Sequence, residues 1–261
     1  MMAFTRKKEQ VLKSLYTAHG RKKHDLCVCE GVRACREFLL SPLVKSLDFM
    51  LVSDDFNFPE NFPKLNSELI FRIPNTDLKK ITSTKNSQGI LIVAKRPKND
   101  YKQIILGKDP FAVLLEGISD PGNMGTILRT VKAVGLKKIY LTKGSVDPFS
   151  EKVIRSAMAA QFFLDIIIIE NCDTMLQVVN IGDVKNIWRT DCHKGASLFE
   201  VEDLFDKSVI VFGSEATGTS EIINSKAVTI PMPGNSESIN LAQSVTVFLF
   251  EAVRRKILYK D

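Results

Sequence analysis

Short apolar runs and amphipathic stretches alternate along the whole chain. In the first hundred residues, apolar positions at helical spacing between lysines predict a basic amphipathic helix over residues 6–18. Short apolar runs predict strands at residues 26–30, 48–52, 68–73 and 90–94, and a helix at residues 32–40. This part of the chain therefore predicts a small α/β unit.

The rest of the chain alternates between strand and helix patterns more regularly. The predicted strands lie at residues 113–116, 138–141, 162–169, 186–190, 208–212 and 227–230. The predicted helices lie at residues 123–134, 150–160, 173–180 and 239–258. Gly135 fits the left-handed position that follows a helix. Strands that alternate with helices predict an α/β fold with a mainly parallel, doubly wound sheet.

A polar, helix-breaking stretch over residues 95–100 separates these two parts. The chain has 261 residues, enough for two domains of ordinary size. We therefore predict a first domain over residues 1–96, a linker over residues 97–110, and a second domain over residues 111–261.

The net charge of +6 is concentrated near the N-terminus. Residues 1–36 carry nine Lys or Arg residues against three acidic residues. Such a cluster is typical either of a surface that binds a polyanion or of a solvated basic helix, and the charge count leaves both possibilities open. If the cluster contacts RNA, the candidate residues are Arg6, Lys7, Arg21, Lys22, Lys23 and Arg33.

Several classes of protein are not favoured. The five cysteines are scattered, which suits a reducing cytoplasm and does not predict a zinc site. No apolar run approaches the roughly 18 residues of a membrane span, and no apolar segment follows the basic N-terminus. We therefore expect a soluble, cytoplasmic protein. Nucleotide-binding glycine motifs and the metalloprotease motif are absent from the sequence, which has only three histidines.

Three polar, glycine-containing loops each follow a predicted strand, at residues 120–129, 212–218 and 230–240. In α/β proteins, ligands bind beyond the carboxyl ends of the strands. One such loop is common, but three of them that carry Arg, Glu and Asn indicate one composite active site.

The side chains of these loops have both structural and functional interpretations. Asn123 suits the N-cap of a helix. Arg129 has apolar neighbours, so it either pairs with an acid or binds a phosphate through its bidentate guanidinium. Glu215 is either a carboxylate at a helix N-terminus or a partner of Arg129. Ser238 is a candidate N-cap for the last helix, which places Asn240 at its second position.

This inventory orients reactants and stabilises charge, and it does not favour a covalent intermediate. Gly213 would let the backbone approach a ligand closely.

The three loops resemble the signature motifs of the SpoU (TrmH-type) RNA ribose 2′-O-methyltransferases of the SPOUT class. The resemblance rests on Asn123-Met-Gly125-Thr-Ile-Leu-Arg129, Gly213-Ser-Glu215 and Ile230-Pro-Met…Ser238-Ile-Asn240, and it covers about residues 111–256. Arg155-Ser156-Ala157 is similar to a further family feature. The basic start with Glu30-Gly31-Val32 resembles the small, L30e-like substrate-binding domain of the ribosomal-RNA members.

The resemblance implies a parallel-sheet catalytic domain with a C-terminal trefoil knot, S-adenosylmethionine as cofactor, no metal, and a homodimer. It implies that Arg129 is catalytic and is assisted by Asn123, Glu215, Ser238 and Asn240. It also implies that the cofactor contacts Gly213, Ile230 and Ile239. Since the pKa of a guanidinium exceeds about 12, we hypothesise that Arg129 binds the phosphate beside the target ribose, with a role as the base as the alternative.

The leading interpretation is an RNA 2′-O-methyltransferase that acts on ribosomal RNA, because the first domain adds a second surface for RNA. The alternatives are a transfer-RNA enzyme and a non-catalytic RNA-binding or ribosome-assembly factor of the same fold. A metabolite-binding regulator without RNA agrees less well with the basic N-terminus.

Overall fold

The structure is a computed structural model that describes residues 4–84, 86–97, 106–171, 184–214, 216–234 and 236–258. The chain divides into two compact units, and each is described by itself. Unit 1 combines Met1–Lys98 with Asp147–Phe163, and unit 2 combines Asn99–Val146 with Leu164–Asp261. Most of the predicted linker, residues 98–105, lies outside the described residues.

Unit 1 contains a four-stranded sheet and short helices. Numbered along the chain, its elements are α1 (Arg6–Ser14), α2 (Ala18–His24), β1 (Leu26–Glu30), α3 (Val32–Leu39), β2 (Leu47–Ser53), β3 (Ile70–Ile73), α4 (Asn75–Ile81), β4 (Ile90–Lys95) and α6 (Glu151–Ser156). The strand order is β1-β4-β2-β3; β4 is antiparallel to both of its neighbours, and β2 is parallel to β3. The predicted small α/β unit is therefore present.

The first predicted helix ends earlier than residue 18, and a second helix that was not predicted follows it. Leu15 ends α1, and Thr17 caps α2 by accepting a hydrogen bond from the N–H of Gly20 at 3.0 Å. A Cβ atom on Gly20 would overlap the carbonyl of Ser14, so the second helix packs against the first only because residue 20 is glycine.

Residues 147–163 were assigned by sequence to the second domain, but they pack with unit 1. Helix α6 lies against β1. The ring of Phe162 meets that of Phe38 edge to face at 4.8 Å, and Asp147 accepts a hydrogen bond from Arg21 at 2.7 Å. The packing of Phe162 on Phe38 and the ion pair of Asp147 with Arg21 therefore hold residues 147–163 in unit 1. Neither contact can be read from the local sequence pattern.

Unit 2 contains a seven-stranded sheet among its described residues. Its elements are β5 (Ala112–Leu115), α5 (Pro121–Ala133), β6 (Lys138–Thr142), β7 (Asp165–Ile169), β8 (Asn186–Thr190), β9 (Ala196–Ser197), β10 (Ser208–Phe212), β11 (Lys226–Thr229) and α7 (Leu241–Arg254). The strand order is β7-β6-β5-β10-β8-β11-β9, and every pair is parallel. The parallel α/β sheet is thus confirmed, whereas the helix predicted at residues 173–180 lies outside the described residues.

Three predicted boundaries are wrong for local reasons. Helix α5 begins at Pro121 because Asp120 is its N-cap, and α7 begins at Leu241 because Asn240 is its N-cap. Helix α6 ends at Ser156, well before residue 160, since Met158 and Ala159 adopt φ angles of 50° and 61°. Gly135 has the predicted left-handed backbone, with φ of 89°.

The core of unit 2 comes from buried, mostly β-branched and aromatic strand residues. Leu114, Tyr140, Val209 and Val211 belong to one continuous cluster. On α7, Phe248 meets Phe212 edge to face at 5.1 Å, which places the middle of this helix beside the end of β10. Within the described residues, no helix combines the length and the hydropathy needed to cross a lipid bilayer.

Candidate active site

The second and third predicted loops meet at one edge of the parallel sheet. They follow β10 and β11, and β8 lies between these two strands. Beyond the carboxyl ends of these strands lies a cavity of about 340 Å³. The structure places five of the predicted residues on its wall, namely Gly213, Ile230, Ser238, Ile239 and Asn240.

A third loop, which sequence reasoning missed, also lines the cavity. Thr190, Asp191 and Cys192 follow β8. The N–H of His193 donates to Asp191 at 2.8 Å, and this bond is the main reason that the pKa of Asp191 lies below its ordinary value. The position of this loop after a parallel strand was a signal that could have found it, since that criterion identified the others.

The described wall of the cavity combines apolar side chains with uncharged polar ones, and it carries one carboxylate. Phe212, Val228, Leu241 and Phe248 form apolar parts of it, and Asp191 is the ionisable acid. Among the described residues that line the cavity, none is Lys or Arg. A phosphate group would therefore find no cation on this wall, whereas a neutral or positively charged ligand meets a suitable environment.

The loop after β10 is held in a tight backbone turn. The N–H of Gly218 donates to the carbonyl of Ser214 at 2.9 Å, and Gly218 has a φ of 68°. A Cβ atom on Gly213 would overlap the carbonyl group of Gly218, so only glycine fits there. Glu215 lies outside the described residues, so its predicted pairing with Arg129 stays a prediction.

The first and third loops are joined by two asparagines. The side-chain amide of Asn240 donates to Oδ1 of Asn123 at 3.0 Å. Oδ1 of Asn240 also accepts from the N–H groups of Ala242 at 2.9 Å and Gln243 at 3.3 Å. One side chain therefore caps α7 and ties it to the start of α5.

The predicted capping roles of Asn123 and Ser238 are corrected accordingly. Asp120 caps α5 and accepts from the N–H of Asn123 at 2.7 Å, which frees the side chain of Asn123 for Asn240. Asn240 was placed at the second helical position but is itself the N-cap, and Ser238 precedes it in the loop, where its carbonyl accepts from Ser236 at 3.1 Å.

A carboxylate that sequence reasoning also missed anchors the chain beyond the second loop. Glu116 accepts hydrogen bonds from the N–H of Ser220, at 2.8 Å, and from the Ser220 hydroxyl. The end of β5 therefore holds the segment that leads towards β11. Glu116 was not singled out because it lies four residues before the glycine-containing stretch at residue 120.

Arg129 does not line the cavity. It lies on an exposed stripe of α5 with Gly122, Thr126 and Ala133. Among the described residues, no group accepts a hydrogen bond from its guanidinium. Asn123 and Thr126 also border a shallow depression with Gln243, Thr246 and Val247 of α7. Arg129, the predicted catalytic residue, therefore faces solvent and is not one of the residues that line the cavity.

The predicted RNA-contacting cations divide into two groups. Arg6, Lys7, Lys22, Lys23 and Arg33 are exposed. Arg21 is only 5% exposed, and its guanidinium donates to Asp147 and, at 3.0 Å, to the carbonyl of Leu15. Arg21 thus stabilises the interior of unit 1, and its assignment to an RNA surface is wrong. Within the part of the chain that is described, no group of three or more His, Cys, Asp or Glu residues could hold a metal ion.

Residues 110–250 match the model of the SpoU rRNA Methylase family, which is more than half of the chain. An uncharacterized tRNA/rRNA methyltransferase of Synechocystis sp. is 29% identical over 254 residues, which cover 94% of this chain and 90% of that protein. The Bacillus subtilis 23S rRNA (guanosine(2553)-2'-O)-methyltransferase RlmP is 26% identical over 242 residues, covering 91% of this chain and 92% of that protein.

Solved structures have the same fold. The SpoU methyltransferase AviRb from Streptomyces viridochromogenes, solved in complex with the cofactor AdoMet, superposes with a TM-score of 0.81 and 21% identity, covering 97% of this chain and 99% of that one. At this identity the likeness establishes the fold alone.

Proposed function

This chain belongs to the SpoU rRNA methylase family, and we propose that it transfers a methyl group from S-adenosylmethionine to a ribose 2′-hydroxyl of ribosomal RNA. The observation that carries the proposal is the cavity at the sheet edge. Residues of the second and third family motifs line it, and the Asn123–Asn240 hydrogen bond joins the first motif to the third.

The cavity suits S-adenosylmethionine better than a phosphate-bearing nucleotide. This cofactor has a positively charged sulfonium and no phosphate, which matches a wall with Asp191 and without a described cation. The volume of the cavity, about 340 Å³, is within the roughly 300–1,000 Å³ typical of small-molecule sites. Gly213, Ile230 and Ile239 would hold the cofactor, largely through backbone groups. When bound, S-adenosylmethionine supplies an electrophilic methyl group.

Arg129 binds and orients the RNA. A guanidinium presents paired N–H donors and has no acceptor atom, so Arg129 suits the phosphate beside the target ribose better than a role as the base. Correct alignment of the hydroxyl with the methyl donor is itself a large part of the rate enhancement in such reactions. Glu215 and Ser238 assist at the same site. The hydrogen bond between Asn123 and Asn240 fixes the first and third loops relative to each other.

The active chain is a homodimer whose site is completed by Arg129 of the partner subunit. This explains why Arg129 lies on an exposed helix stripe and not on the wall of its own cavity. Helix α7 also presents Gln243, Val247 and Phe250 at heptad spacing, and Phe250 is 52% exposed. An exposed phenylalanine on a helix surface is typical of a site that packs against a partner.

The remaining features of the proposal follow from family membership and from unit 1. The segment from β10 to α7 forms a trefoil knot, and the tight approach of Gly213 to Gly218 supports a closely wound backbone there. Unit 1 is an L30e-like domain that binds RNA through five exposed cations, namely Arg6, Lys7, Lys22, Lys23 and Arg33. The free thiols of Cys27, Cys29, Cys35 and Cys192 suit the cytoplasm.

Ribosomal RNA is favoured over transfer RNA as the substrate. The Bacillus subtilis relative, which is named for 23S rRNA, aligns with 91% of this chain, so the similarity extends beyond the catalytic residues to unit 1. A non-catalytic RNA-binding factor would have no need for a cofactor-sized cavity beside the family motifs.

The test is transfer of radiolabelled methyl groups from S-adenosylmethionine to total ribosomal RNA and, separately, to transfer RNA. We expect label in the ribosomal pool, and a loss of about 100-fold with Arg129→Ala. Lys137→Ala, which removes an exposed cation of unit 2 away from the cavity, serves as the control and should retain activity. Cofactor binding without label in either pool would contradict the proposed reaction, and label only in transfer RNA would contradict the proposed substrate.

A further inference from the structure

A second cavity, of about 240 Å³, lies in unit 1 and takes no part in the proposed methyl-transfer site. It is formed by the start of α3, by the segment that precedes β4, and by the residues at the end of α6 and just after it. Its charged and long side chains are Glu30, Arg33, Gln88, Arg155 and Met158.

One side of this cavity is rigid because Glu30 is saturated with hydrogen bonds. Glu30 is 6% exposed. Its carboxylate accepts from the hydroxyl of Tyr16, from the N–H of Ser83 at 3.1 Å, and from the hydroxyl of Thr84 at 3.1 Å. A buried carboxylate with three donors is satisfied, so its charge does not repel an approaching anion as strongly as a free one would.

The opposite side offers donors for an anion. Arg33 is exposed, and the side chain of Arg155 is 47% exposed and donates to Glu151 through Nη1. Gln88 accepts from the N–H of Val32 at 2.8 Å, which fixes the start of α3 against the loop. Within the described part of the chain, the next two amides of this helix, those of Arg33 and Ala34, have no acceptor.

Apolar atoms lie between these donors. Ala34, Ile90 and Met158 contribute them. Met158 and Ala159 are consecutive non-glycine residues with φ angles of 50° and 61°, a left-handed conformation that is strained for residues with a Cβ atom. This strained turn ends α6 and places Met158 at the cavity, so a flat apolar group would find a contact surface there.

We propose that this cavity binds one unstacked nucleotide of the RNA substrate. This proposal rests on the RNA methyl transfer proposed above. The phosphate binds the guanidiniums of Arg33 and Arg155 and the free amides of α3. The base lies against Met158 and Ile90, and the side-chain amides of Asn86 and Gln88 face its polar edge. Single-stranded RNA is recognised in this way, by contacts to splayed bases.

The size of the cavity fits one nucleotide. Its volume is smaller than the roughly 300–1,000 Å³ of sites for drug-sized ligands, so it has no room for a longer stacked segment. Its two arginines also distinguish it from the cavity of unit 2, where no described lining residue is a cation.

The test uses the full-length chain and two independent changes. Arg155→Ala removes a phosphate donor, and Asn86→Trp fills the cavity from an exposed position. Lys64→Ala and Asn61→Trp are the matched controls, because both residues are exposed in unit 1 and neither lines the cavity. Methyl transfer to ribosomal RNA should show a KM raised about tenfold by each cavity variant with kcat unchanged, and both controls should stay near the parent value.

Direct binding separates this proposal from the proposed function. Single-stranded oligouridine and uridine monophosphate are titrated without S-adenosylmethionine, and calorimetry with S-adenosylmethionine checks the other cavity in every variant. Weaker oligouridine binding in both cavity variants supports the proposal even if no methyl transfer is detected. Unchanged oligouridine binding and KM in both cavity variants would overturn it, as would loss of uridine monophosphate binding alone, which would indicate a site for a free nucleotide.

Discussion

The two cavities of this protein differ most clearly in charge. The cavity of unit 2 has Asp191 and, among its described lining residues, no cation, whereas that of unit 1 has Arg33 and Arg155. The first is built from loops beyond parallel strands, with glycine backbone and apolar side chains at its wall. The second is built around a helix N-terminus and a strained turn. The difference in charge means that the cavity of unit 2 favours a cationic ligand, whereas the cavity of unit 1 favours an anionic one.

The cations of α7, the helix that lines part of the unit 2 cavity, do not weaken this contrast. Glu251 is 5% exposed and accepts hydrogen bonds from Arg254 at 2.7 Å and Arg255 at 2.6 Å. Arg255 also donates to the carbonyls of Leu198 and Val201. These side chains therefore stabilise the end of the helix, and neither arginine lines the cavity of unit 2.

The largest effect is expected for Gly213→Ala. Its methyl group would overlap the carbonyl of Gly218, so the loop must move and the affinity for S-adenosylmethionine should fall at least about 100-fold. Calorimetry measures this affinity. Gly234→Ala is the matched control, because a Cβ atom there meets nothing within 4 Å. Equal affinities of the two variants would show that the cavity does not depend on this close backbone approach.

Glu251→Gln should destabilise the chain near neutral pH. Hydrogen bonds from Arg254, and then from Arg255, lower the pKa of Glu251 from 4.5 to about 2. A depressed carboxyl pKa adds stability that is present above the unfolded pKa and is lost as the pH falls through the folded pKa. The variant should therefore be less stable by up to about 3 kcal/mol at pH 7.

The difference in the free energy of unfolding between the parent and Glu251→Gln should shrink as the pH falls from about 5 to 2. Denaturant unfolding over that range measures it, with the exposed Glu221→Gln as the control. If the two unfolding free energies differ by the same amount at every pH, the ion pairs of Glu251 do not account for the stability that the variant loses.

Salt should separate the two kinds of binding. Raising the salt concentration from about 50 to 200 mM should weaken RNA binding roughly 100-fold, if the exposed cations of unit 1 contact phosphates. The affinity for S-adenosylmethionine should change by less than about twofold, because its cavity has no described cation. Filter binding and calorimetry on the same preparation give both numbers, and a parallel fall of both affinities would remove the contrast between the cavities.

Arg129→Lys tests the role of the guanidinium outside the cavities. A lysine keeps the charge but loses the bidentate geometry, so methyl transfer should fall about tenfold or more while cofactor affinity is unchanged. Single-turnover methyl transfer measures the first and calorimetry the second. Near-normal turnover in this variant would refute the hypothesis that Arg129 binds a phosphate through two parallel hydrogen bonds.

The smallest effect is expected at Asn240. Asn240→Ala loses the cap of α7 and the bond to Asn123, and should cost about 1 kcal/mol in the free energy of unfolding. Asn240→Asp keeps the cap acceptor and loses only the donor to Asn123, so its stability should be close to that of the parent. If both variants lose the same stability, the hydrogen bond between the loops contributes more than the cap.

Much of the fold followed from local patterns. Strands β1, β8 and β10 have the predicted bounds, because apolar runs of strand length bounded by polar or turn residues are a local property. Helix ends were predicted less well: capping depends on which of several nearby polar side chains reaches the free amides, and Asp120 and Asn240 do so where Asn123 and Ser238 were expected.

By itself, the sequence determined the alternation of strands and helices, the parallel sheet and the three motif loops, since each depends on residues close together in the chain. Only the tertiary structure decided that Asn240 bonds to Asn123, that Arg21 is buried against Asp147, and that Arg129 lies outside the cavity. The same holds for residues 147–163, which pack with unit 1. These facts depend on strand order and on packing between residues more than a hundred positions apart, which local periodicity does not encode.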